Sequence, residues 1–327
     1  MRSLSGASQA FVAVLALGSF TSAVGCAKVG EIQSKKAFKA ANAAYQQQDY
    51  KKASEYYEQT IAAAPETATA NQAYFFLGNS YDNQYKPSKK GDATNDAFLT
   101  KAVDNYDKAA QKLSASADPA DKKLGKLSLE YLVASYGADK LNDPAKAEPV
   151  VQKMIQLEPS EPTNYFQLAK IYEDAGVYDE AEKMLVAAKN AKPGDAAVYM
   201  TLAGYYNRQG RFDKTIEALE ERAAKEPNNP DAFYTIATYY WDEAYRDFKL
   251  KEAEKREYVG KGMTAIDHSL QLKPDYVEAI VYKGLLLRLQ ANLEKDPSKQ
   301  QALLKEATAL SEKANAMRKA KATGTAP

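Results

Sequence analysis

Two adjacent stretches of the chain repeat one pattern of hydrophobic and polar positions with a period of 34 residues. With Pro162 and Ala196 as position 1 of the two copies, apolar or small residues recur at positions 4, 7, 8 and 11, the spacing of one helix face. A second stripe at positions 20 and 24 follows a glycine at position 15, and a proline at position 32 ends it. Each copy is therefore predicted to be a pair of short amphipathic helices, which must stack on neighbouring pairs to bury its stripes.

The pattern continues in a more degenerate form on both sides, so that residues 35–319 read as about seven consecutive copies. Copies 2, 6 and 7 carry about a dozen extra residues between their two stripes. The insert of copy 2 contains the loop-forming run 86–91, with Asn95 and Asp96 as candidate helix N-caps. The insert of copy 6, residues 244–256, lacks Pro and Gly and predicts longer helices joined by a short turn. We therefore expect an all-α fold with elongated hairpins in repeats 2, 6 and 7.

The residues that carry the pattern resemble the tetratricopeptide repeat (TPR) family. In the first of the two central copies they are Tyr165, Leu168, Ala169, Tyr172, Gly176, Tyr178, Ala181 and Pro193. The resemblance implies a right-handed α-solenoid of about seven TPR helix pairs, whose first helices line a concave groove that binds peptides or protein segments.

Charge and reactive residues argue against several other classes of protein. The chain has 44 basic and 43 acidic residues, whereas nucleic-acid-binding scaffolds are usually strongly basic. It has one His and one Cys, without a Gly-rich phosphate loop or a metal-ligand spacing. We expect a protein that is not an enzyme and has no cofactor, no metal site and no nucleic-acid partner.

The N-terminal segment has the pattern of an export signal. Arg2 precedes an apolar run, Ala10–Phe20, that is too short to span a bilayer and is followed by small residues. The end of the segment, Val24–Cys26, resembles a bacterial lipobox, in which the cysteine is acylated; ordinary signal-peptidase cleavage nearby is the alternative. The chain contains no other cysteine, which favours lipidation of Cys26. A lipid-modified Cys26 would anchor the protein to a membrane.

Four segments follow from these patterns: a signal peptide at 1–25, a tether at 26–34, a TPR solenoid at 35–319 and a disordered tail at 320–327. Positions 5, 9, 12 and 13 of each first helix lie beside the buried stripe and are expected to face a protein-binding groove. These candidate groove residues are Phe38, Asn42, Phe75, Asn79, Leu132, Tyr136, Phe166, Lys170, Met200, Asn207, Arg208, Tyr234 and Trp241. Aromatic residues on such a face are typical of binding surfaces.

We expect a protein–protein interaction scaffold of the bacterial cell envelope, facing the periplasm or the cell exterior, whose groove holds a protein or peptide segment. Two alternatives remain open. The chain could be a subunit of an envelope assembly machine, similar to the repeat lipoproteins of outer-membrane protein assembly or pilus biogenesis. It could also bind carbohydrate, because aromatic grooves also stack sugars, although no persuasive carboxylate pair for hydrolysis is present.

Overall fold

The computed structural model describes residues 15–323, with side chains from residue 28 onward. This range contains fourteen α-helices, one 3₁₀ turn at Pro87–Lys89 and no β-strand. The helices are α1 (Leu15–Gln46), α2 (Tyr50–Ala63), α3 (Ala68–Gln84), α4 (Ala93–Leu113), α5 (Pro119–Ser135), α6 (Pro144–Leu157), α7 (Pro162–Asp174), α8 (Tyr178–Ala191), α9 (Ala196–Arg208), α10 (Phe212–Lys225), α11 (Pro230–Arg246), α12 (Glu252–Leu272), α13 (Val277–Leu293) and α14 (Pro297–Ala322). None of these helices is both long and apolar enough to cross a bilayer.

The helices form two compact units that divide after Pro159. Unit 1 contains α1–α6, unit 2 contains α7–α14, and within each unit a helix packs on the next helix or the next but one. The regular pairs α7/α8 and α9/α10 have helices of 13 and 14 residues. The pairs α3/α4 and α11/α12 have helices of 17 and 21 residues, and α13/α14 has 17 and 26. The all-α fold of stacked helix pairs, with elongated hairpins in repeats 2, 6 and 7, is therefore confirmed.

Short polar residues and prolines define where many of the helices begin. Prolines occupy the first turn of α5, α6, α7, α11 and α14, where no backbone N–H is needed. In each case the preceding side chain caps the helix; Asp118, for example, accepts from the Ala120 N–H at 2.7 Å. Gly176 and Gly210 follow α7 and α9 with φ of 74° and 67°, which a residue with a Cβ adopts only with strain.

The capping residues expected in repeat 2 were wrong. The cap of α4 is Asp92, which accepts from the N–H groups of Thr94 and Asn95. Asn95 is buried, and its side chain bonds the loop instead: it accepts from the Lys86 N–H at 2.8 Å and donates to the Lys86 and Lys89 carbonyls. Its amide thereby ties three backbone groups of the loop to the first turn of α4.

The interior is built from rings beside small residues. In unit 1, Tyr57 and Tyr106 are fully buried, and a Cβ on Gly78 would lie 2.9 Å from the ring of Tyr106. In unit 2, a Cβ on Gly262 would lie 3.0 Å from Leu286. The small residues therefore permit the close approach of helix backbones that the period predicted.

The ends of the repeat region differ from the expected segments. Residues 28–34, expected to be a tether, continue α1, where the Ser34 hydroxyl donates to the Thr60 carbonyl at 2.9 Å. A Cβ on Gly30 would lie 2.5 Å from the Ala63 carbonyl oxygen, so α1 packs closely on the end of α2. At the other end, residues 320–322 belong to α14. Residues 1–14, the Cys26 side chain and residues 324–327 lie outside what the structure describes.

Candidate protein-binding surface

The first helix of each pair presents the candidate groove residues, and we call this surface the first-helix face of each unit. In unit 1 three of these candidates do not reach solvent: Phe75, Asn79 and Leu132 are only 6%, 5% and 2% exposed. The ring of Phe75 packs on Tyr106 and Tyr131 at centroid distances of 6.1 and 5.8 Å. These three residues are therefore core residues and cannot contact a partner. The other candidates of unit 1, Phe38, Asn42 and Tyr136, are half-buried.

A chain of hydrogen bonds lies beneath the first-helix face of unit 1. The Tyr45 hydroxyl donates to Asn79 Oδ1 at 2.5 Å, and the Asn79 amide donates to the Tyr106 hydroxyl at 3.4 Å. The Tyr106 hydroxyl donates in turn to Asp82 Oδ2 at 3.4 Å, while Lys140 Nζ contacts Asp82 Oδ1 at 2.6 Å. Burial, and secondarily the Asp82 charge, raise the pKa of Tyr106. The carboxylate of Asp82, next to tyrosine, is thus paired with a cation from the same chain.

The first-helix face of unit 2 is more open. Three candidates are exposed (Lys170, Asn207 and Arg208), and four are half-buried (Phe166, Met200, Tyr234 and Trp241). Its basic side chains are paired within the chain: Arg208 binds both carboxylate oxygens of Glu173 at 2.8 and 2.9 Å, and Lys170 contacts Asp174. What this face offers a partner is therefore mainly its aromatic surface.

Five rings in succession on α11, α13 and the residue before α13 form what we call the aromatic ladder. Centroid distances are 5.1 Å from Tyr276 to Tyr234, 5.4 Å from Tyr234 to Tyr282, 5.5 Å from Tyr282 to Trp241 and 5.1 Å from Trp241 to Tyr245. The last pair is stacked at an interplanar angle of 9°. Tyr245 is 62% exposed, whereas the other four rings are half-buried. Such half-exposed tyrosine and tryptophan rings are the side chains most enriched at protein interfaces.

An exposed aromatic side chain also lies at the tip of the elongated hairpin formed by α11 and α12. Phe248 lies in the turn between α11 and α12 and is 85% exposed. A phenylalanine in this position exposes an apolar ring to water, which is unfavourable, and it does not contribute to the core. The turn at 247–251 thus presents an exposed aromatic side chain three residues after Tyr245, the last ladder ring.

Two carboxylates lie at the Tyr276 end of the ladder. Asp231 Oδ1 accepts from the Tyr276 hydroxyl at 3.1 Å, and Asp231 Oδ2 accepts from Arg222 at 2.8 Å. Glu278 is exposed and lies one helical turn before Tyr282 on α13; it forms no salt bridge with any residue from 28 to 323. The pKa of Tyr234 is raised mainly by burial, with smaller effects from Tyr282, Glu278 and Asp231.

Arg222 departs from the repeat pattern, and its role could not be inferred from the sequence. It stands where the preceding copy has Ala188, yet it is only 7% exposed. Its guanidinium donates to Glu226 at 3.0 Å, to Asp231 at 2.8 Å and to Thr235 at 3.4 Å. Arg222 therefore joins α10 to α11 by hydrogen bonds, where the preceding copy has the buried Ala188.

The second-helix side of unit 2 holds an ion cluster centred on Glu182. Its carboxylate accepts from Lys214 at 2.7 Å, from Arg211, and from the Tyr206 hydroxyl at 3.1 Å. The pKa of Glu182 is lowered to about 2, mainly by the hydrogen bond from the Arg211 guanidinium. Burial opposes this shift, and the hydrogen bonds from Lys214 and Tyr206 add to it. The cluster holds α8 against α10, and all its charges are paired.

The single histidine of the chain and two glycines of α12 have surroundings that involve packing. His268 is exposed and its ring lies 3.9 Å from that of Phe233. Gly260 and Gly262 lie inside α12, where Gly262 permits close packing on Tyr240 and Leu286. Among the described residues, no group of three or more His, Cys, Asp or Glu is placed to hold a metal ion.

Comparisons with known proteins identify the repeats. Two family models described as tetratricopeptide repeat match residues 37–67 and 140–204. No curated protein matches the chain.

Several solved structures have a similar arrangement of helices. The C-terminal part of a TPR repeat-containing protein from Cytophaga hutchinsonii aligns with a TM-score of 0.52 at 14% identity, covering 86% of this chain and 98% of that one. A TPR protein from Parabacteroides merdae aligns at 0.44 with 12% identity, covering 84% and 99%. YrrB, described as a TPR protein with an unusual peptide-binding site, aligns at 0.35 with 19% identity, covering 60% and 87%. The two family-model matches show that the chain contains tetratricopeptide repeats, and the Cytophaga hutchinsonii structure shows that its helix pairs have the fold of that repeat.

Proposed function

We propose that this protein is a non-enzymatic interaction scaffold and that the first-helix face of unit 2 binds a segment of a partner protein. The observation that carries the proposal is the aromatic ladder, from Tyr276 to Tyr245, together with the exposed Phe248. Half-buried aromatic side chains in a row present a rigid apolar surface, and binding loses little side-chain entropy there. Unit 1 contributes less, because three of its six candidate positions are closed by packing.

We further propose that the protein is exported and anchored through Cys26 in the bacterial cell envelope. The support is the signal-like segment that ends at this cysteine, the only one in the chain. Substituting Cys26→Ser should move the protein from the membrane fraction to the soluble fraction and abolish labelling by a fatty-acid analogue. Retention of both properties would refute the anchor without affecting the binding proposal.

Site-specific photo-crosslinking tests the binding surface. A photoreactive amino acid at Tyr245, on the ladder, should crosslink to a partner protein in intact cells of the source bacterium. The matched control is Tyr178, which is 48% exposed at the start of the second helix α8. A partner crosslinked at position 245 but not at 178, and lost on Trp241→Leu, supports the proposal. The same products from both positions would show that the first-helix face has no special role.

A further inference from the structure

We propose that the aromatic ladder binds a basic side chain, so that the partner segment carries exposed Arg or Lys rather than an acidic or carboxylate group. This inference rests on the proposed function and adds the chemistry of the partner. Cations lie favourably over the faces of Trp and Tyr rings, because the ring quadrupole places negative potential there.

The charges around the ladder have the sign that attracts a cation. Glu278 is exposed, next to Tyr282 along α13, and forms no salt bridge within residues 28–323. Two basic side chains next to ladder residues along the chain are already engaged: Lys283 contacts Asp267 at 2.8 Å, and Arg246 contacts Asp242 at 2.7 Å. Because these two cations are paired, Glu278 is a carboxylate without a salt bridge near the rings, while Lys273 lies over the Tyr276 ring at the same end of the ladder.

The rings themselves show which faces are available. Lys273 Nζ lies 5.1 Å from the centroid of Tyr276, so one end of the ladder already carries a cation from the chain. No other basic group of the described residues lies over Tyr234, Tyr282 or Trp241. Because these three rings are half-buried, a cation that reaches them loses part of its water, and the contact is then stronger than at an open surface.

A carboxylate and tyrosine cluster in unit 1 is completed by a lysine of the chain. There Asp82, bonded to the Tyr106 hydroxyl, pairs with Lys140 at 2.6 Å, and both charged side chains are largely buried, at 10% and 19% exposure. The chain thus uses a lysine to complete a carboxylate and tyrosine cluster in unit 1. In unit 2 the equivalent pair, Asp231 with the Tyr276 hydroxyl, is completed by Arg222, so Glu278 is the carboxylate near the ladder that has no salt bridge among residues 28–323.

The position of Trp241 makes a direct test possible, because it is the only tryptophan in the chain. Its fluorescence in the full-length protein would be titrated with a short Gly/Ser peptide that carries evenly spaced arginines. The comparison probe is the same peptide with glutamates at those places. We expect a saturable change in Trp241 emission with the arginine peptide and none with the glutamate peptide. The chain's formal net charge of +1 gives basic peptides no general attraction to it.

Variants separate a specific site from weak surface binding. Glu278→Gln, at an exposed position, should weaken binding of the arginine peptide about two- to fivefold without affecting folding. Tyr234→Leu should weaken it roughly fivefold or more, because a ring face is lost. The control Glu306→Gln, at an exposed position on α14, should leave the affinity unchanged.

Equal binding of both peptides, or equal affinities of the Glu278→Gln and Glu306→Gln proteins, would overturn the inference. The photo-crosslinking experiment is independent of it. A partner that crosslinks at position 245 while the arginine peptide fails would leave the scaffold function standing and refute only the basic chemistry of its ligand.

Discussion

The first-helix faces of the two units use equivalent repeat positions for different purposes. Position 5 is Phe75 in repeat 2, where the ring is 6% exposed, and Phe166 in repeat 4, where the ring is half-buried. In unit 1 the carboxylate of Asp82 has an internal lysine, whereas in unit 2 Glu278 has no salt-bridge partner among residues 28–323. A repeat position therefore does not by itself make a binding residue; what matters is how far the neighbouring helices cover it.

The largest expected effect is on stability, and it tests whether position 5 is more deeply buried in unit 1 than in unit 2. Phe75→Ala should lower the free energy of unfolding by about 3–5 kcal/mol, because a large buried ring leaves a cavity. Phe166→Ala, at the same position of a more open repeat, should cost only about 1–2 kcal/mol for the area it covers. Urea unfolding followed by circular dichroism measures both variants. Similar losses would mean that the two faces are equally closed.

The next effect concerns the internal cation of unit 1. Lys140→Met should cost about 1–3 kcal/mol, because Asp82 would be left largely buried without its cation. The control is Lys170→Met, which breaks a pair whose side chains are 66% and 61% exposed and should change stability by less than about 0.5 kcal/mol. If both variants unfold at the same urea concentration, the Lys140–Asp82 pair is no more important than a surface pair.

The ion cluster around Glu182 is expected to stabilise the fold, whereas the ladder is expected to bind a partner. Glu182→Gln should cost about 1 kcal/mol at neutral pH, because three donors lose their charged acceptor. The pKa of Glu182 falls from its usual 4.5 to about 2 in the folded chain, so its contribution is fully present above pH 4.5 and is lost as the pH falls toward 2. The difference in unfolding free energy between wild type and variant should therefore shrink over that interval. A difference that does not depend on pH would exclude the charge as its cause.

The smallest expected effect is at the hairpin tip. Phe248→Ser should leave stability within about 0.5 kcal/mol of wild type, since the ring is 85% exposed. The same substitution should reduce photo-crosslinking from position 245 if Phe248 is part of the binding surface. A marked loss in thermal unfolding temperature would instead give Phe248 a role in packing the α11–α12 hairpin.

The sequence predicted the helices well, because the apolar stripes and the Gly and Pro residues that end the helices are local features. Gly176 and Gly210 end the first helices of two copies with positive φ, as position 15 of the repeat indicated. Exposure at the candidate groove was harder to predict. Phe75 is covered by Tyr106 and Tyr131, which come from α4 and α5, so its burial depends on helices that the pattern of its own repeat does not describe.

Two further differences between the predictions and the structure arise from packing between helices. Tyr282 was missed because it stands at position 6 of its repeat, one residue past the position considered, and reaches the ladder through the packing of α13 on α11. Residues 28–34 have no helical stripe of their own, and the contact of Gly30 with the end of α2 comes from the packing of α1 on its partner. Neither contact can be read from spacing along one helix.

The restriction of packing to neighbouring helices also determines how each unit responds to mechanical force. A helix contacts only the next helix or the next but one, so a pull on the ends of a unit loads a series of short interfaces rather than one shared core. Helix pairs should then detach one at a time from an end of the stack. Each 34-residue repeat that unravels would lengthen the chain by on the order of 100 Å at about 3.4 Å per residue. A scaffold of this kind can yield stepwise under tension while the pairs that remain stacked keep their fold.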